Sequence, residues 1–259
     1  MLKHLGTVFI GIFLCAGVQA ASISVLKGDN FTDDQGYRAS RTTMTLENFS
    51  VWEYGTVFFY YDITEPTGDD SGPNYYSNQF FGGLAPTLSL SRLTGKNLNF
   101  GIVRDISLRG EIENGSALGF ANFQNYFYGL QYDLSVPGFD FLSINTVLRD
   151  NPDVAGVGFQ IGLFWQMTYE FLEKNRFKFT GFLATSPWDG NNNNKNLSAL
   201  DPKGRFLITQ PQLLYDLGHL LRNKKDTLEI GVEYSYALNR FQFSHKDEKV
   251  LQGIVKMSF

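Results

Sequence analysis

Apolar and polar side chains alternate along most of the chain after residue 20, with the period of two that is typical of a β-strand with unlike faces. In the last segment one face carries Leu251, Gly253, Val255, Met257 and Phe259. The other face carries Gln252, Lys256 and Ser258, and Ile254 is the exception. The pattern predicts a final strand that is apolar on one face and polar on the other.

Three further segments, at 105–113, 159–170 and 228–236, alternate in the same way. Their apolar faces carry residues such as Leu108, Ile161 and Val232. Their other faces carry Asp105, Ser107, Arg109, Glu111 and Glu113, then Gln160, Phe164 and Glu170, and finally Glu229, Glu233 and Ser235. Charged side chains therefore collect on one face of each predicted strand.

Twelve strands are predicted in all, at residues 22–28, 41–50, 54–62, 79–90, 102–113, 119–133, 138–148, 157–170, 175–186, 205–216, 226–237 and 248–259. An even number places both chain ends on one side of the sheet. The links on that side are shorter on the whole than those on the other side, which include 63–78 and 187–204. Short turns at one end and long loops at the other are typical of outer-membrane barrels.

Alternation alone fits two folds. In a soluble β-sandwich the apolar face is buried, whereas in a membrane barrel it faces lipid and the charged face lines a wet lumen. The link lengths favour the barrel, and so do 24 Phe and 13 Tyr residues in a chain without an apolar stretch for a membrane helix after residue 20. We therefore predict an all-β, transmembrane, antiparallel up-and-down β-barrel of about twelve strands in the outer membrane of a Gram-negative bacterium.

Residues 1–20 have the pattern of a cleaved signal peptide. Residues 8–14 are apolar, and Val18 and Ala20 place small side chains for cleavage before Ala21. The apolar run is shorter than the roughly 20 residues that a membrane helix needs.

Cys15 allows a lipoprotein alternative, although Leu14 stands where that motif has a small residue. With ordinary cleavage, residues 21–259 form one barrel domain without cysteine. Such a domain has no disulfide and no cysteine metal site.

Charge and histidine content argue against two classes of function. The net charge is −4, and without Lys/Arg clusters an acidic chain is a poor nucleic-acid binder. His219 and His245 lie far apart in predicted links, and no nucleophile elbow, metal-spaced histidine pair or phosphate loop is present. We predict no enzyme, no catalytic residue, no metal and no cofactor.

Two segments resemble motifs of a known family. The stretch 85–101 reads Ala-Pro-Thr-Leu-Ser-Leu-Ser-Arg-Leu-Thr-Gly-Lys-Asn-Leu-Asn-Phe-Gly, and the stretch 45–62 contains Thr-Leu-Glu-Asn-Phe followed by Trp-x-Tyr-Gly-x-x-Phe-Phe-Tyr-Tyr-Asp. Both are similar to the nucleoside-specific channel-forming proteins, the Tsx family with its OmpK relatives. The resemblance implies a monomeric twelve-stranded barrel with a narrow channel for nucleosides and deoxynucleosides, and a surface site for some phages and colicins.

A nucleoside joins a neutral base to a polyhydroxyl sugar, so a channel for it needs aromatic faces together with carboxylates or arginine. The candidate solute-binding residues are Glu47, Phe58, Tyr60, Arg109, Glu111, Phe164 and Glu233. Stacking of a base on an aromatic side chain contributes about 1–3 kcal/mol, which is strong enough to select a solute and weak enough to release it.

Each candidate also has a structural interpretation. Arg109 and the glutamates can form an ion-pair ladder, Phe58 and Tyr60 can belong to an interfacial aromatic girdle, and Phe164 can fill space between strands. The three tryptophans, Trp52, Trp165 and Trp188, are predicted to anchor the barrel at its interfaces.

Two functions follow from these alternatives. The first is passive diffusion of a small solute, a nucleoside by resemblance. The second is a closed or general barrel whose loops 63–78 and 187–204 serve structural, partner or phage contacts. In either case we expect contact with outer-membrane lipid and lipopolysaccharide, and recognition of Phe259 by the barrel assembly machinery.

Overall fold

The strands of the computed structural model form one antiparallel sheet that closes on itself. The structure describes residues 19–32, 38–67, 79–116, 123–152, 156–188, 205–239 and 247–259. The strands are β1 (Gln19–Thr32), β2 (Arg38–Trp52), β3 (Gly55–Thr67), β4 (Gln79–Ser89), β5 (Val103–Gly115), β6 (Phe123–Leu134), β7 (Phe141–Asp150), β8 (Val157–Phe171), β9 (Asn175–Trp188), β10 (Phe206–Thr209), β11 (Gln212–Asp216), β12 (Leu228–Leu238) and β13 (Glu248–Ser258). Closure comes from β1 and β13, which pair with Ser22 opposite Ser258.

β10 and β11 are two halves of one barrel strand, since both pair with β9 and β12. The break falls at Gln210 and Pro211, where proline has no N–H for the ladder. The Gln210 N–H still donates to the Phe182 carbonyl at 3.1 Å, and the Tyr234 N–H donates to the Pro211 carbonyl at 3.0 Å. Gly181 allows this close approach, because a Cβ there would lie 2.7 Å from the Gln210 carbonyl oxygen. The closed barrel therefore has twelve strands, which confirms the predicted fold class.

The two ends of the barrel differ in their links. At one end, here called the loop end, all the links contain residues outside the described ranges: 33–37, 68–78, 117–122, 153–155, 189–204 and 240–246. The other end, here called the turn end, has fully described links and both chain termini of the barrel. Most of the predicted loops 63–78 and 187–204 therefore lies outside the described residues.

Two of the turn-end links contain short helices that the alternation does not predict. They are α1 (Leu90–Thr94) and α2 (Leu217–Arg222). Ser89 and Asp216 cap their N-termini, and both helices end at a residue with left-handed backbone, Gly95 and Asn223. The links that contain them, 90–102 and 217–227, are the longest at the turn end.

The inward and outward faces of the wall differ as the alternation predicts. In β13, Val250 and Gln252 point inward and are 1% and 4% exposed, whereas Leu251 and Val255 point outward and are 64% and 50% exposed. Ile254 also points inward, where it packs with Leu26 and Leu214 in a buried cluster. None of the helices in the described ranges is long and apolar enough to cross a membrane.

The start of β1 overlaps the end of the predicted signal peptide. Gln19 and Ala20 pair with Ser50 and Phe49 of β2, and residues 1–18 lie outside the described ranges. Cleavage before Ala21 stays a prediction. A strand that began at Ala21 would keep the remaining register with β2 and β13.

Candidate functional site

Tyr60 lies inside the barrel against two glutamates of β5. It is opposite Gly83 in β4, which is in turn opposite Glu113. The ring reaches across Gly83, because a Cβ there would lie 2.8 Å from Cε1, Cζ and Oη of Tyr60. The Tyr60 hydroxyl lies 3.3 Å from Glu111 Oε1 and 3.2 Å from Glu113 Oε1, and its single proton is donated to one of them at a time. The alternative that placed Tyr60 in an outward aromatic girdle is wrong.

Arg109 extends from β5 into the lumen. Its Nη2 lies 2.7 Å from Glu111 Oε2, and its Nη1 donates to Gln131 Oε1 at 2.9 Å. Its guanidinium carbon also lies 5.5 Å from the centre of the Phe164 ring in β8, at the distance of a cation–π contact. Since two strands separate β5 from β8, this side chain spans part of the lumen. Arg109 therefore forms the predicted ion pair and also contacts a second candidate, Phe164.

Four inward rings form a continuous series of contacts, here called the aromatic row: Phe58, Tyr60, Phe81 and Phe123. Successive ring centres are 5.6, 5.8 and 6.2 Å apart. Phe58 shares the inward face of β3 with Tyr60, so the girdle alternative is wrong for this residue too. On another part of the wall Phe164 stacks on Phe182, with ring centres 6.2 Å apart. The row extends toward the loop end. Four predicted candidates, Phe58, Tyr60, Arg109 and Glu111, lie in or beside it, and the fifth, Phe164, contacts Arg109 from the other part of the wall.

The two remaining candidates, Glu47 and Glu233, belong to a second group on a neighbouring part of the wall. Glu47 lies opposite Tyr60 in the β2–β3 register, and its Oε2 accepts hydrogen bonds from Lys256 Nζ at 2.5 Å and Ser22 Oγ at 3.1 Å. Both oxygens of Glu233 accept hydrogen bonds from glutamine amides, as described below. The structure thus places all seven candidates on the inward face, in two adjacent groups.

The inward side chains are closely packed where these groups lie. Many inward polar side chains are buried, including Arg109 at 8% and Glu233 at 5% exposure. The buried apolar cluster of Leu26, Leu214 and Ile254 also points inward. Inward side chains therefore contact one another across much of this part of the wall.

A charged network at the turn end holds α2 against the barrel wall. Asp216 accepts hydrogen bonds from Arg176 Nη1 at 3.0 Å, from the His219 N–H at 2.8 Å and from the Asp226 N–H at 2.8 Å. Lys178 Nζ lies 2.8 Å from Asp226 Oδ1 and 2.7 Å from Glu229 Oε1. The network fixes the turn-end mouth of the lumen.

Asp226 lies in the link after α2, and its pKa depends on this network. Burial by itself raises the pKa of the Asp226 carboxyl, but hydrogen bonds from Arg176 and Lys178 outweigh burial and hold the pKa below its ordinary value of 3.8. A carboxyl group whose pKa is lowered by folding stabilises the fold at pH values above its ordinary pKa. This contribution is lost as the pH falls through the folded-state pKa.

We expect Asp226→Asn to lower the free energy of unfolding at neutral pH. In strong acid the free energies of unfolding of the variant and the unaltered protein should be more nearly equal. The reason is that the carboxylate pairs with Arg176 and Lys178 only while it is charged. Urea titrations at a series of pH values measure the difference in free energy of unfolding between the two proteins. A difference that stays constant from pH 7 to below 3.8 would contradict this assignment.

His219, one of the two histidines in the predicted links, lies in α2 and contacts the turn-end network. His219 donates its backbone N–H to Asp216, and its Nε2 lies 3.1 Å from the Glu173 carbonyl oxygen. His245 lies outside the described residues. The described residues hold no group of three or more His, Cys, Asp or Glu side chains that could bind a metal ion.

Comparison with known proteins identifies one family along most of the chain. Residues 25–253 match the family described as nucleoside-specific channel-forming protein, Tsx. The outer membrane protein OmpK of Vibrio parahaemolyticus is 28% identical over 132 residues, which cover 50% of this chain and 48% of OmpK. The match therefore spans about half the length of this curated relative.

Two solved structures are also similar in outline. A NanC porin has a TM-score of 0.46 at 12% identity, with 92% of this chain and 98% of the porin covered. The translocator domain of the autotransporter NalP from Neisseria meningitidis has a TM-score of 0.40 at 11% identity, with 98% and 92% covered.

Proposed function

The chain belongs to the family of nucleoside-specific channel-forming proteins, Tsx, and is a β-barrel of the Gram-negative outer membrane; on this premise we propose that its lumen passes nucleosides by passive diffusion. The proposal needs a passage lined by groups that hold a base and a sugar weakly. It needs no cofactor and no coupling to energy.

The aromatic row beside Arg109, Glu111 and Glu113 is the observation that carries this proposal. The rings supply flat faces on which a base stacks, at about 1–3 kcal/mol per base. The two carboxylates accept hydrogen bonds from sugar hydroxyls, and Arg109 donates to them. Because the rings follow one another at about 6 Å, a base that leaves one ring meets the next. Such a series binds a solute well enough to admit it and weakly enough to release it.

Glu47 and Glu233 extend the polar wall beside the row. Glu47 lies next to Tyr60 in the register, so a sugar held at Tyr60 lies within reach of its carboxylate. We assign both residues to hydrogen bonding with hydroxyl or amino groups of the solute. Contacts with lipopolysaccharide, phages or colicins, and recognition of Phe259 by the assembly machinery, stay predictions.

Uptake of labelled adenosine into liposomes that contain the refolded protein tests the proposal. We expect uptake that saturates and that unlabelled thymidine reduces, while ribose at the same concentration has little effect. Protein-free liposomes provide the background. Uptake that ribose reduces as strongly as thymidine would show a general pore and overturn the assignment.

Gly83→Ala is expected to weaken nucleoside binding without disrupting the barrel. The three atoms nearest to the new Cβ would be Cε1, Cζ and Oη of Tyr60, each at 2.8 Å, so we expect the ring to move and the row to be interrupted. The concentration of adenosine that half-saturates uptake should rise by about fivefold or more, the equivalent of losing one stacking contact. Gly253→Ala is the matched control, since a Cβ at that outward position meets nothing within 4 Å. Equal half-saturation in the two variants would contradict the placement of Tyr60.

A further inference from the structure

The inward face of the described strands carries more carboxylates than basic side chains. The carboxylates are Glu47, Asp62, Asp105, Glu111, Glu113, Asp133, Glu170, Asp216, Glu229, Glu233 and Glu248. The basic side chains are Arg41, Arg109, Arg149, Arg176, Lys178 and Lys256. The excess of eleven over six gives this lining a formal negative charge slightly larger than the −4 of the whole chain.

The excess is concentrated away from the turn-end mouth, where Arg176 and Lys178 pair with carboxylates. Asp62 accepts a hydrogen bond from Thr45 Oγ1 at 2.7 Å. Glu233 accepts one from Gln212 Nε2 at 2.7 Å and one from Gln252 Nε2 at 2.9 Å. All three donors are neutral, so the hydrogen bonds orient these carboxylates without neutralising them.

Asp62 lies on the inward face of β3 opposite Thr45 of β2, two residues from Glu47 on the same face of β2. β3 and β12 are separated by β13, β1 and β2 around the barrel, and Lys256 of β13 reaches across β1 to Glu47. Lys256 is bound to Glu47, and Arg41 lies across Gly28 from Gln252 in the register of β13, β1 and β2. Among the described residues, the inward faces of β2, β3, β12 and β13 therefore carry more carboxylates than basic side chains: Glu47, Asp62, Glu229, Glu233 and Glu248 against Arg41 and Lys256.

Gln252 provides a second, independent indication of what the lumen binds beside Glu233. The residue is 4% exposed, and its amide nitrogen is committed to Glu233. Its Oε1 has no hydrogen-bond partner among the described residues. A buried carbonyl oxygen without a donor is costly, and a passing cation satisfies it together with the adjacent carboxylates.

We infer that the channel is selective for cations over anions, and that Glu233 with Gln252 forms its selective site, while Asp62 adds a further carboxylate to the same lumen. Carboxylates that line a narrow passage attract cations and exclude anions, and low-dielectric walls focus their field. The inference rests on the proposed channel function, because ions must cross the same lumen, but it does not depend on nucleoside binding.

The reversal potential of the refolded protein in a planar bilayer, measured across a gradient of KCl, tests the inference. The unaltered protein should show a reversal potential close to that of K⁺. Glu233→Gln should reduce the K⁺/Cl⁻ permeability ratio by about tenfold, because it removes an ionisable carboxyl from the lumen. Asp62→Asn is the second variant, for the case that Glu233→Gln does not fold. Glu53→Gln, which removes an exposed carboxylate in the turn after β2, should leave the ratio unchanged.

A reversal potential near zero or near that of Cl⁻ would overturn the inference, as would an unchanged permeability ratio in folded Glu233→Gln or Asp62→Asn. Failure of the proposed function looks different. A cation-selective current that adenosine does not reduce supports the inference and contradicts the nucleoside assignment. A non-selective current that adenosine reduces contradicts the inference and supports the nucleoside assignment. Folded protein that conducts no ions contradicts both.

Discussion

Phe58→Ala is expected to raise the adenosine concentration that half-blocks the channel by about 5- to 150-fold. Phe58 is the first ring of the aromatic row and stacks on Tyr60 with ring centres 5.6 Å apart. Its removal deletes one stacking face, worth about 1–3 kcal/mol, and each 1.4 kcal/mol corresponds to about tenfold in affinity. The current through single channels at several adenosine concentrations measures the change.

The neighbouring residue provides a matched control. Phe59 lies on the same strand but points outward, where it stacks on Tyr61 with ring centres 6.4 Å apart. Phe59→Ala removes the same side chain from the lipid-facing side and should leave the half-blocking concentration unchanged. If both variants bind adenosine as the unaltered protein does, the row has no part in solute binding.

Asp216→Ala is expected to lower the free energy of unfolding by about 3 kcal/mol, because it removes a buried charge from an ion-pair network. The Asp216 carboxylate is 2% exposed and accepts hydrogen bonds from Arg176, His219 and Asp226. Without it, Arg176 loses its buried partner and α2 loses its N-cap, which alone contributes about 1 kcal/mol. Urea titration in lipid vesicles, followed by tryptophan fluorescence, measures the loss.

Asp140→Ala is the control for this variant. Asp140 is an exposed carboxylate in a turn-end link, with hydrogen bonds from Gln166 and Thr168. Exposed interactions of this kind contribute little, so its loss should change the unfolding free energy by well under 1 kcal/mol, as for surface pairs in general. Comparable losses in both variants would mean that the Asp216 network does not stabilise the mouth.

The alternation of side chains could predict the barrel because a strand that separates lipid from a wet lumen must alternate at a period of two. This is why the inward positions of Arg109, Glu111 and Glu233 follow directly from the sequence. Glu47 could be placed because charged residues are rare on a lipid-facing surface. The resemblance added the channel function, which alternation alone does not give.

Consecutive aromatic residues limited the prediction elsewhere. Phe80 and Phe81 are adjacent, so the sequence alone does not indicate which ring points inward, and Phe81 was not among the candidates. Phe58 and Phe59 present the same ambiguity, which the Tyr60 contacts with β5 resolve. Phe123 is inward because Gly115 lies opposite it, a register that no local pattern reveals.

The alternation pattern also does not predict which apolar residues point into the lumen. Ile254 is the exception to the alternation of β13 because it packs with Leu26 and Leu214 inside the barrel. Its apolar side chain is buried by these two residues and does not face lipid. A period-two pattern does not predict the interruption at Pro211, which depends on local hydrogen bonds. It also does not predict the helices α1 and α2, which depend on their caps.

Single-channel conductance of the refolded protein in a planar bilayer, titrated with adenosine, thymidine and ribose, tests the central claim most directly. The account predicts small, uniform steps that both nucleosides reduce at low concentration and that ribose leaves unchanged, because the aromatic row binds the base. Steps that respond equally to all three solutes, or to none, would contradict a base-binding lumen.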